Sequence, residues 1–156
     1  MSGALSMRTQ VRDAVVSALG QIADSPSARV PGAQVLPQFC TVEELKKSPT
    51  YCVVVTNEDL TLQTQQAIDS RMTVLVVVYV RAEGDLRATL DAAIDDVWDT
   101  LRVAQSLRPL VSQLQLDSIE TDEGTTIVKP FAQAVMRWTA HTRRMTAWAN
   151  GLTMVV

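Results

Sequence analysis

The chain has 156 residues, 47% of them hydrophobic and 20% charged, the proportions of one globular domain that buries about 70% of its unfolded surface. Its net charge of −3 is too mild for an obligate nucleic-acid partner, which needs a basic patch, and 4% aromatic residues make a poor base-stacking platform. The longest apolar run, residues 74–80, lies between Arg71 and Arg81 and is far short of the ~20 residues of a membrane helix, while MSGALSMRTQ has no apolar core of signal-peptide length, so secretion is not expected.

The first predicted element is an amphipathic helix over 7–20, because Val11, Val15, Ala18, Leu19 and Ile22 recur at helical spacing. ADSPSARVPGAQ, with its prolines and serines, is a connector, and 33–39 is a short first strand. Thr41 and Glu44 can form a capping box for a turn or two of helix over 41–47, which Pro49 ends. Residues 51–56, YCVVVT, form a buried strand. NEDLTLQTQQ, 57–66, lacks apolar periodicity and is expected to be a loop or hairpin tip that leaves the core. The strongest strand is 71–81: its even positions are all apolar, and Leu75 and Val77 make its middle apolar on both sides, as in a central strand covered on both faces.

Asp85 then caps a helix over 86–104, whose stripe of Leu86, Leu90, Ala93, Ile94, Val97, Trp98 and Leu101 packs on the sheet, with Pro109 as its stop. A strand over 113–121 and a DEGT turn lead into the ribbon PFAQAVMRWTAHTRR, 130–144. In the ribbon Ala132, Ala134, Met136, Trp138 and Ala140 alternate with Gln133, Val135, Arg137, Thr139, His141 and Arg143, a dry face against a mostly wet one. At about 45 Å it is longer than such a domain needs, so either a bulge near Pro130 splits it or one end leaves the core and pairs elsewhere. The fold class is α+β: a mainly antiparallel sheet of four to five strands with two main helices on one face. One domain spans 1–144, and 145–156 is a C-terminal extension whose apolar residues dock on the domain or on a neighbour.

Catalytic patterns are missing. The single histidine, His141, has no second ligand near it in sequence, and neither a Gly-rich phosphate loop nor a GxSxG nucleophile occurs. No enzyme activity, cofactor or metal is expected. Cys40 and Cys52 are expected to be free buried thiols in a reducing compartment. Two charged features remain. Asp91, Asp95 and Asp99 recur every fourth residue with Asp96 beside them, and Arg137, Arg143 and Arg144 stand on the ribbon with Lys129 at its base. Each is a solvated face on the plainest reading, yet together they are complementary surfaces on one chain.

The helix MRTQVRDAVVSALGQI, the proline-bearing connector, SRMTVLVVVYV, DLRATLDAAIDDVWDTL and AVMRWTAHTRR come in the order found in the tail terminator proteins of long-tailed bacteriophages. The chain resembles that family, the minor tail protein U-like group, over roughly residues 7–144, and its end departs from the family's compact form. The resemblance implies a virion protein assembled in the host cytoplasm: a homo-oligomeric ring, a hexamer, at the head-proximal end of the tail. Its partners would be copies of itself, the tail tube protein and the head connector or completion protein, with no membrane and no sequence-specific nucleic acid. On this reading Arg137 and Arg143 meet carboxylates such as Asp95 or Asp99 of the next subunit, and Asp91 and the excursion at Asn57, Glu58 and Asp59 belong to the same contact surfaces. Two other readings stand beside it: another head–tail connector or stopper adaptor, or a small-molecule-binding regulatory α+β domain.

Overall fold

A computed structural model describes residues 6–82, 84–104, 107–122 and 131–145. The elements are α1 (Met7–Gly20), β1 (Gln34–Leu36), β2 (Thr50–Gln63), β3 (Ala67–Arg81), α2 (Leu86–Arg102), β4 (Gln113–Asp122) and β5 (Phe131–Met145), with short 3₁₀ turns at Gln21–Asp24 and Val42–Glu44. Ser6 accepts the Thr9 N–H to start α1, and Asp85 accepts the Ala88 N–H to start α2. The five strands form one sheet in the order β1-β2-β3-β5-β4; β1 and β2 are parallel and every other pair is antiparallel. The architecture is α+β, as the alternation of apolar residues predicts, and β3 is the central strand.

The even-numbered positions of β3 and β5 face the helices. Val74, Val76, Val78 and Val80 meet Ala132, Ala134, Met136 and Trp138 there, under Val11, Val15 and Leu19 of α1 and Leu90, Ala93 and Val97 of α2. Burial of these side chains is the main stabilising term, at about 1.5–3 kcal/mol for each large one. On the opposite, outer face the segment between β1 and β2 covers one end only: Cys40, Leu36 and Leu45 pack on Cys52, Val77, Tyr79 and Val135. The Tyr79 hydroxyl donates to the Cys40 carbonyl at 3.3 Å and ties that cover to the central strand. Gly32, at φ 81°, turns the connector into β1.

Two expectations need correction. Of the two forms expected for residues 57–66 the structure has the hairpin and not the loop: β2 runs on through Gln63, and β3 begins at Ala67, so only three residues make the tip. Register shifts at Val55/Asn57 and Leu60/Leu62 bend this distal hairpin without breaking its pairing. The ribbon is neither split nor detached. From Phe131↔Arg81 to Met145↔Ala67 it pairs without interruption with β3 of its own chain, and the bulge lies instead in β4, between Leu116 and Ser118.

Lengths explain the exposed end. Fifteen residues of strand span about 50 Å, whereas the fourteen residues of α1 and seventeen of α2 span about 21 and 25 Å. On its helix side the ribbon is buried from Ala132 through Thr142, and beyond that the far ends of β2, β3 and β5 form a three-stranded arm. Leu60 and Leu62 stand on its two sides, 51% and 46% exposed. The DEGT turn, Lys129 and the extension beyond Met145 lie outside the described residues, and β5 itself continues one residue past the boundary expected at 144.

Candidate interaction surfaces

The acidic side of α2 divides into members that serve the fold and members that do not. Asp96 is buried, with 4% of its surface exposed. Its Oδ1 accepts the Arg29 backbone N–H at 3.0 Å and Arg29 Nη1 at 3.2 Å, and its Oδ2 accepts the Val30 N–H at 3.0 Å. This carboxylate therefore clamps the proline-bearing connector onto α2. Asp99 takes the same Arg29 Nη1 at 2.9 Å and Arg102 at 3.6 Å. The two carboxylates, Asp99 foremost, hold the Arg29 guanidinium above its ordinary pKa. Asp91 is bound to Arg87 one turn earlier, at 3.1 Å. Of the expected stripe only Asp95 has no ion-pair partner among the described residues. One turn on is Trp98, 43% exposed.

The basic side divides in the same way. Arg143 donates from Nε and Nη2 to Asp69 of its own chain, at 2.6 and 2.7 Å, across the β3–β5 pairing. Hydrogen bonds from Arg143 hold the Asp69 carboxyl below its usual range, so the pair contributes stability at neutral pH that is lost as acid protonates Asp69. Arg144 points to the helix side, where it lies 3.9 Å from Glu58, as does Arg8 of α1. Glu58 is thus enclosed by two arginines of its own chain. Asn57 and Asp59 are exposed on the arm, in register with Thr73 and Arg71. Arg137 is exposed on the outer face between Leu75 of β3 and Ser118 of β4, and it forms no ion pair among the described residues. Asp117, in the neighbouring bulge, accepts the Thr139 hydroxyl.

The structure leaves Asp95, Arg137, Asn57 and Asp59 exposed with no ion pair among the described residues, and occupies Asp91, Asp99, Arg143 and Glu58 within the chain. Sequence spacing anticipates the local partners Arg87 and Arg102 but not Arg29, Asp69 and Arg8, which only the sheet and the connector bring close. Asp96 was visible only as a fourth carboxylate, and its clamp role follows from burial. Trp98 is half turned from the core stripe in which its spacing puts it.

A cleft of about 650 Å³ opens between the connector and the end of α2, where Arg29, Asp96 and Asp99 face Ile22, Ala28 and Val103. Its charged groups already bind one another, so it presents few free polar groups to a ligand. Among the described residues no three His, Cys, Asp or Glu side chains gather as a metal site, and no helix is long and apolar enough to cross a membrane.

No protein-family model and no curated protein matches this sequence. Among solved structures the chain is similar to one from the virion of a native gene transfer agent (GTA) particle, with a TM-score of 0.52 and 16% identity over 85% of this chain and 97% of that one. At that identity what is shared is the fold. The two chains have it over nearly their whole lengths.

Proposed function

We propose that the chain is a structural protein of a phage-like virion, and within that class a tail terminator: a ring of copies that caps the tail tube, stops its growth and presents a surface to the head. The observation that carries this reading is the whole-length likeness of fold to a chain of a gene transfer agent virion, which agrees with the element order that resembles the terminator family. A subunit of a cyclic ring shows different patches to its two neighbours. Asp95 with Trp98 on the outward side of α2, and Arg137 on the opposite side of the sheet, suit such a head-to-tail contact, since tryptophan and arginine are enriched among the residues that carry interface binding energy.

Deletion of the coding sequence tests the assignment. A terminator's absence yields tail tubes of uncontrolled length in negatively stained lysates. Tubes of normal length beside unjoined heads would instead make the chain a head–tail adaptor or stopper, and unchanged particles would remove it from the virion altogether.

A further inference from the structure

The two cysteines meet. Cys52, on β2, and Cys40, in the segment that covers the outer face, are free thiols with their sulfurs 3.3 Å apart. Both are buried, Cys52 wholly and Cys40 less so, with Phe39 and Thr41 exposed on either side of Cys40. They belong to the smaller of the two apolar clusters, whose buried members among the described residues are Cys40, Cys52 and Val77. The cover's other ties to the strands include the Tyr79–Cys40 hydrogen bond, the Arg81 N–H to Ser48 Oγ at 2.8 Å, the Gln34 N–H to the Pro49 carbonyl at 2.9 Å and the Thr50 hydroxyl to the Lys47 carbonyl at 2.7 Å. A covalent link between Cys40 and Cys52 would fasten this cover to β2 from within that small cluster.

We propose that Cys40 and Cys52 are a disulfide-forming pair: thiols while the chain folds in a reducing compartment, and a bond that staples the 37–49 cover to β2 once the protein meets an oxidising medium. The oxidant is a low-molecular-weight disulfide. The Cys40 thiolate, nearer the surface, attacks one of its sulfurs, forms a mixed disulfide and releases one thiol; the Cys52 thiolate then attacks the Cys40 sulfur and expels the second. Two cysteine thiols and one small disulfide become one protein disulfide and two small thiols, so protons and electrons balance. Burial holds the Cys52 thiol largely protonated at neutral pH, which makes its attack the slower step and its contact with Cys40 the reason that it succeeds. The medium in which the bond forms rests on the virion reading, because a particle released from a cell leaves the reducing compartment; the pairing itself does not.

The test treats the purified full chain with oxidised glutathione and counts thiols after denaturation. The expected result is loss of both thiols, no retained glutathione, a Cys40–Cys52 cross-link in peptide maps, and a thermal midpoint raised by about 5–10 °C. Cys52→Ser should instead keep glutathione on Cys40 and show no such rise. Two thiols still free after an oxidation that modifies the urea-unfolded chain, or glutathione left on the native chain, would overturn the pairing. Thiol counts on chain extracted from purified particles form a separate arm. Reduced cysteines there would overturn the oxidised state in the particle, and absence of the chain from particles would overturn the virion reading while the pairing stands.

Discussion

Asp96 is the residue on which the helix layer depends most. It is a buried carboxylate whose acceptors meet two backbone N–H groups and a guanidinium, and nothing else replaces it at that site. Asp96→Ala leaves the two backbone donors without partners and should lower unfolding stability by about 1–3 kcal/mol. Asp95→Ala, one residue away on the exposed side, should change it by less than about 0.5 kcal/mol. Urea midpoints of the two variants check the contrast. Cys52 gives a second prediction, on pH. Burial, aided by Cys40, pushes its thiol up to about 12, against about 8.5 in an unfolded chain. Above pH 8.5 the unfolded chain loses this proton while the folded one keeps it, so stability falls as pH rises from there towards 12. Cys52→Ala should flatten that alkaline loss in pH-dependent unfolding curves, and an unchanged slope would assign the loss elsewhere, for instance to buried Tyr51, whose phenol burial also pushes up.

At the scale of elements, the parts legible in the sequence are those with one dry face and one wet face. α1, the core half of β3, α2 and the even face of β5 announce themselves because the residues that face the core, from Val11 to Ala140, recur at the period of their element. The distal arm was not legible. Asn57–Gln63 carries polar residues on both sides because most of it is exposed, so no alternation survives, and its strand character comes from pairing with β3. The parallel β1, three residues long, was legible only as a short strand, since its direction depends on a return path that no local pattern encodes. The arm should also be the least protected part of the sheet. Amides of residues 60–63 are expected to exchange hydrogen much faster than those of 74–80 in native-state exchange, because local opening of the arm exposes little apolar surface. Equal protection would mean that a partner, most simply a second copy, covers the arm in solution.

At the scale of the whole molecule, the sequence suggested complementary acidic and basic faces, and the structure narrows them. Most members of the two predicted faces pair inside the chain, whereas Asp95 with Trp98 on one side of the sandwich and Arg137 on the other do not. If those patches join neighbouring copies, Trp98→Ala and Arg137→Glu should each weaken self-association about tenfold or more, seen as a shift to smaller species in sedimentation across concentration. Arg143→Glu would act differently, by breaking the arm's own pair with Asp69. The account as a whole requires the chain to be built into particles. Gold-labelled antibody against it, applied to purified particles, should mark a single spot where head meets tail; unlabelled particles, with the chain confined to the soluble fraction of the lysate, would contradict it.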